Sequence, residues 1–359
     1  VGGWITSTYY MNELPKWVSN FNAQKLVDKY YKDGWNLLYP ANTYVQSTTD
    51  EKPYESKPFG TSFPYNLDKF IGKDFSKIAS LPMGNSLTTE FAKAAIASEQ
   101  LGADDITDFL AVSFSSPDYI GHTFGPNSIE SEDGFLRLDK DLGSLFEYLD
   151  KKVGKGQYTA FLSADHGVAH TPEFMIENKL PGGRVFMGDV VKLLNKTLQE
   201  KHGIKTIIVS DDNFQLHLNH QALDSAKVDV KELTNWIVDY MKAEPGIDRV
   251  FAIADLNIIP LNSTIRTMLN NGYYPKRNGD IQVILKPNYI DAYSKTGTTH
   301  GLWNPYDAHI PLLWYGWGIK EGKTNRETYM TDIAATIAAL LKIQMPNGNV
   351  GHVISEVLK

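Results

Sequence analysis

Hydrophobic positions fall into two alternating rhythms along the chain. Phe109–Phe114 (FLAVSF) and Tyr158–Ala164 (YTAFLSA) are near-continuous apolar runs of strand length, the pattern of strands covered on both faces. Between them Phe135, Leu138, Leu142, Leu145, Phe146, Leu149 and Val153 recur at helical spacing with charges on the opposite side. This predicts a crossover helix and a strand–helix–strand unit. Upstream, Asn85 is a candidate N-cap for a helix carrying Leu87, Phe91, Ala94, Ala95 and Leu101, and Gly102 can supply its left-handed end. Pro15–Tyr31 is the first helix-like segment. Downstream, Val283–Leu285 and Ile310–Tyr315 read as strands of the same layer, and Thr331 can cap a last helix over Ile333–Leu341. The alternation predicts an α/β fold with a largely parallel central sheet.

Two stretches break the rhythm. Residues 204–275 offer short strands at Thr206–Val209, Phe214–Leu218 and Val250–Ala254, plus a helix opened by an Asp229/Glu232 capping box. They read as a small α+β insertion. Residues 36–80 are rich in Pro, Tyr, Phe, Ser and Lys without periodicity, the mark of a loop-dominated cap near a site. The expected organisation is therefore a core of 1–203 and 276–359, with the cap at 36–80 and the insertion at 204–275.

Composition narrows the function. At 359 residues, 42% hydrophobic and 21% charged, the chain can bury a large core, and disorder is excluded. A net charge of −7 lacks the basic excess that binding a nucleic-acid scaffold needs. The longest apolar runs, such as Ile333–Leu341, fall far short of the roughly 18–20 residues of a membrane span, so no membrane association is expected. Cysteine is absent, so any metal must sit on His, Asp, Glu or hydroxyl oxygens.

Open parallel sheets bind ligands beyond the carboxyl ends of their strands. Here FLAVSF is followed by Ser115-Ser116-Pro117-Asp118-Tyr119-Ile120-Gly121-His122, and YTAFLSA by Asp165-His166-Gly167. Carboxylate oxygen and imidazole nitrogen form a donor set that suits Zn²⁺, and the i, i+4 spacing lets Asp118 and His122 converge. A single Asp or His after a strand is more often a cap or a satisfied polar residue. Two such motifs after consecutive strands are harder to ascribe to chance. A third candidate, Gly297-Thr298-Thr299-His300-Gly301, sets a histidine between glycines that permit close backbone approach.

Taken together, SPDYIGHTFGP, SADHG and GTTHG, followed by Asp307-Ala308-His309-Ile310-Pro311-Leu312-Leu313, resemble the alkaline phosphatase superfamily, within it the type I phosphodiesterase and nucleotide pyrophosphatase group. The nearest likeness is to periplasmic, phosphate-irrepressible alkaline phosphatases of the PafA type, through STYYMNELPKWV, LTTEFAKAAIASEQLGADD and DIAATIAALL as well. The resemblance implies an alkaline phosphatase-like three-layer sandwich and a two-zinc site. Asp118, His122 and His300 would hold one zinc, and Asp165 and His166 the other. It implies hydrolysis of small-molecule phosphate monoesters through a phosphothreonine or phosphoserine that zinc-activated water then hydrolyses. A periplasmic or secreted location follows from the same likeness.

The family's remaining ligand Asp, its nucleophilic Thr or Ser and its phosphate-clamping Lys and Arg precede the STYYMNELP stretch. No strand ending in Asp lies before Pro15 in this chain, which opens on Val1-Gly2-Gly3-Trp4. The nucleophile is therefore expected upstream of Val1, no catalytic residue is assigned within the chain, and the chain alone is expected to be inactive with an incomplete second zinc site. His309 is a candidate to orient His300 or Asp118 from behind, and Thr299 to support the ligand turn. Phosphodiesterase, nucleotide pyrophosphatase, sulfatase or phosphonate hydrolase activity would reuse the same ligands. Phosphoglycerate mutase relatives and a non-catalytic domain that kept the fold are weaker alternatives. Oligomeric state is not legible.

Overall fold

A computed structural model of the chain describes residues 2–359. Helices α1 (Lys16–Asn22) and α2 (Leu26–Asp33) lead into the cap, which runs as loops and short 3₁₀ turns up to α3 (Met83–Ser98). Trp35, Phe59, Phe63, Tyr65 and Phe124 pack there as an aromatic cluster. That cluster explains why the stretch shows no helical or strand period. Helix α3 starts before Asn85, which is buried inside it rather than capping it. Its left-handed closing residue is Gln100, with the Leu101 N–H bonded back to Ile96 O.

Helices α4 (Ser116–Phe124) and α5 (Ile129–Leu149) follow, the second capped by Ser128 Oγ accepting from Ser131 N. The cap docks on α5 through the buried Asp133, which accepts from Trp35 Nε1, Tyr44 OH and Leu38 N and pairs with Arg137. The chain then forms β1 (Thr159–Ser163), α6 (Pro172–Glu177), β2 (Gly183–Val185), α7 (Met187–His202), β3 (Ile208–Ser210), β4 (Gln215–Leu218), α8 (His220–Ser225) and α9 (Val230–Met241). The capping residue of α9 is Asp229, as its capping box predicts. After these come β5 (Ile247–Ala252), α10 (Ser263–Gly272), β6 (Ile281–Leu285), β7 (Tyr289–Asp291), α11 (Pro305–Ala308), β8 (Leu312–Gly316) and α12 (Thr331–Leu341).

Strand pairing differs from the expected layer in three respects. Val283–Leu285 belongs to β6, which is fully buried inside a four-stranded antiparallel sheet of order β3-β4-β6-β5, not to the main layer. Leu194 and Leu198 of α7 and Ile237 and Met241 of α9 close the core of this smaller lobe. Among the described residues the parallel pairing is β2 with β7, whereas β1 pairs antiparallel with β8 in the register Phe161↔Trp314. The FLAVSF run forms no strand and pairs with nothing among the described residues. No helix among the described residues is long and apolar enough to cross a membrane.

Candidate metal centre

The geometry begins with α4. Pro117 presets its first turn, and Asp118 in that turn and His122 one turn later share a face. His300 arrives from the loop before α11. One donor atom from each of Asp118, His122 and His300 lies within 4.8 Å of the other two. His122 Nε2 and His300 Nε2 stand 3.4 and 3.5 Å from the same carboxylate oxygen, Asp118 Oδ1. All three side chains are about one-third exposed or less, enough for access from solvent.

The other pair adjoins this triad. His166 stacks on His300 with ring centroids 3.4 Å apart, and His166 Nε2 lies 3.5 Å from Asp165 Oδ2. Asp165 is 86% exposed, so its carboxylate has no fixed partner on its outer side. The structure thus gathers Asp118, His122, His300, Asp165 and His166 into one contact chain.

Tautomers follow from the bonding. A carbonyl can only accept, so Nδ1 of His122, 2.8 Å from Thr298 O, carries the proton and leaves Nε2 free as a donor to metal. His166 Nδ1 does the same to Gly167 O at 2.9 Å. Burial, and next the neighbouring His166, push His300 below the usual imidazole range, which favours the neutral ligand form. One carboxylate oxygen and two neutral imidazole nitrogens converging with an open side are chemically fitted to a borderline divalent ion such as zinc.

Asp307 has no role in the sequence reading, whereas Thr298 and Gly297 lie in the GTTHG motif singled out there. Thr298 fastens two ligand segments together: its N–H donates to His122 O at 3.0 Å and its Oγ1 donates to Ala169 O at 3.0 Å. Thr299 contributes only its carbonyl, which accepts from Ala169 N. Gly297 has φ +71, and a Cβ there would sit 2.3 Å from His122 O, so only glycine allows this approach. Asp307 is buried, and its Oδ2 accepts from Gly301 N and Leu302 N at 3.0 and 2.8 Å, clamping the loop just past His300. Burial pushes its carboxyl up, and its Oδ1 has no partner. His309, the residue expected to orient the ligands, is exposed, and its ring makes no hydrogen bond among the described residues. Asp307 occupies the supporting position instead.

A family model described as type I phosphodiesterase / nucleotide pyrophosphatase matches residues 5–307, which include Asp118, His122, Asp165, His166 and His300. The chain belongs to that family. Alkaline phosphatase PhoV of Synechococcus elongatus is 47% identical over 364 residues, covering 100% of this chain and 65% of PhoV. A Myroides odoratus protein named calcium-transporting ATPase is 48% identical, with 100% of this chain and 67% of that protein covered. The crystal structure of wild-type alkaline phosphatase PafA matches with a TM-score of 0.94 and 46% identity, covering 99% of this chain and 68% of that one. The α/β fold is therefore that of the alkaline phosphatases. The chain spans about two thirds of the length of these relatives.

Proposed function

We propose that this chain is the metal-holding part of a phosphate monoester hydrolase whose full form works through a covalent phospho-Thr or phospho-Ser intermediate at two zinc ions. The observation that carries the reading is the convergence of Asp118, His122 and His300, with His166 stacked on His300 and Asp165 next to His166. The first three residues would hold one ion and the last two the other. Bound zinc would supply charge stabilisation for phosphoryl transfer and lower the pKa of water.

The chain's own residues position and orient. Thr298 O keeps the Nε2 of His122 available, Gly167 O does so for His166, and Asp307 fixes the loop that presents His300. The candidate substrates are small-molecule phosphate esters, and the periplasm or exterior is the proposed location, by similarity to the alkaline phosphatase relatives. Thr298 Oγ1 is committed to backbone carbonyls and buried, and no nucleophile is assigned within the chain. The chain alone is therefore proposed to be inactive.

Assay of the purified chain and of a relative-length protein with zinc, using p-nitrophenyl phosphate, bis-p-nitrophenyl phosphate and ATP, tests this. Turnover of the monoester by the longer form only is expected. Preference for the diester would move the reading to phosphodiesterase, and equal turnover by the short chain would overturn its proposed inactivity.

A further inference from the structure

A guanidinium taken out of water needs partners in return, because its charge loses hydration. The side chain of Arg184, in the middle of β2, is only 9% exposed. Its Nε and Nη2 donate to the two carboxylate oxygens of Glu173 on α6, at 3.0 and 2.7 Å, which balances the charge. A second set of bonds does something else. Nη2 also donates to Gly297 O at 2.8 Å, and Nη1 reaches Ser294 O at 3.4 Å. Both carbonyls belong to the loop that carries His300.

Gly297 O and Thr298 N–H are the two ends of one peptide group. Arg184 holds the oxygen, while the N–H donates to His122 O at 3.0 Å. The next carbonyl, Thr298 O, accepts from Nδ1 of His122 at 2.8 Å. On the cap side, Gly297 N donates to Tyr54 O at 2.8 Å. Gly297 itself, at φ +71, has no Cβ to restrict its dihedrals, so bonds from outside the turn must fix the peptide's orientation. Rotation of this group would carry the Thr298 N–H away from His122. A charged donor at the oxygen also polarises the peptide, and that strengthens the bond its N–H makes. An ammonium would not serve equally, since it lacks the planar fork that engages both Glu173 oxygens and Gly297 O together.

We infer that Arg184 is a positioning residue for the proposed metal centre: through the Gly297–Thr298 peptide it locks the turn before His300 onto α4 at His122. Its hydrogen bonds go to Glu173 and to two loop carbonyls, so it acts on the ligands only through the backbone. Glu173 serves to hold the guanidinium in plane for Gly297 O. The consequence for metal binding rests on the metal reading proposed above, whereas the clamp itself does not.

The test compares Arg184→Met and Glu173→Gln with the parent 359-residue chain by two measurements. The first is amide hydrogen exchange of Thr298 in the metal-free chain, with the buried amides of β6 as an internal reference. The second is uptake of Co²⁺, followed by its visible absorption band. In Arg184→Met the Thr298 amide should exchange about tenfold faster or more while β6 is unchanged. Its cobalt affinity should fall on the order of 10–100-fold. Glu173→Gln keeps an acceptor for the guanidinium at a side chain that is 36% exposed, so both readouts should move less than about threefold. If Arg184→Met does not fold, Arg184→Lys carries the same test, because it keeps the charge beside Glu173 and removes the fork. Parent-like exchange at Thr298 overturns the inference, and so does equal acceleration of the β6 amides, which would mark a general loss of stability. Equal damage from Glu173→Gln overturns it too, since the ion pair would then be the cause. A parent chain that takes up no cobalt overturns the metal reading, while exchange at Thr298 still decides whether Arg184 holds the turn.

Discussion

Asp307 shows how much of the site rests on a residue that binds no ion. Its Oδ2 takes two backbone N–H groups beneath His300. Asp307→Ala would remove the acceptor of both donors, a loss of about 0.5–1.5 kcal/mol for each hydrogen bond, and metal affinity should fall on the order of 10–100-fold. Asp307→Asn keeps a carbonyl oxygen for the two donors and should recover most of both losses. Thermal melts and zinc titration of the two variants check this, and equal damage from both would refute the clamp. Asp118, His122, Asp165 and His166 were legible as candidates because they come as paired Asp and His residues after apolar runs, and His300 because it sits between glycines. No role for Asp307 was legible in the sequence, which could not show either that Thr298 bonds to carbonyls far away in the chain, because such partners exist only once the fold brings them in.

Elements were legible where their own period defined them. Helices α5, α9 and α12 follow from apolar spacing and, for α9, from its cap. Neighbour choice was not legible: β6 looks like any core strand, and only its pairing with β4 and β5 assigns it to the smaller lobe. The cap has no period because its order comes from aromatic packing and from buried acids that bind across sequence distance. Two of these acids make its stability depend on pH. Burial is the main cause that raises Glu55 to about 8 and Glu130 to about 7. Tyr65 OH donates to Glu130, while Asp50 and Lys52 are the nearby charges, and Glu130 Oε2 has no partner. A carboxyl raised on folding binds more protons folded than unfolded, so its stabilising contribution is full below about pH 4.5 and declines as pH rises toward its folded pKa. Glu55→Gln should therefore melt several degrees above the parent at pH 9 and converge with it near pH 4.5. Melts of the two proteins from pH 4.5 to 9 measure this, and a constant offset would rule it out.

At the scale of the whole molecule the two halves of the proposed metal centre are unequal. Asp118, His122 and His300 come from two segments that Thr298 and Gly297 lock together, and their donors already converge before any ion is present. Preorganisation of that kind favours binding, since the chain loses little further freedom when the ion enters. Asp165 and His166 are adjacent in sequence, supply only two donors, and leave the carboxylate 86% exposed. A two-donor site in water competes poorly with hydration of the ion. The isolated chain should therefore take up one equivalent of zinc tightly and a second at least about 100-fold more weakly. Competition against a chromogenic chelator resolves the two steps. Asp118→Ala should abolish the tight step. His166→Ala should shift it only a few-fold, because His166 touches His300 by ring stacking and donates nothing to the triad. Two equivalents bound with equal affinity would show that Asp165 and His166 have further donors within this chain, and that the open side beside Asp165 is closed in solution.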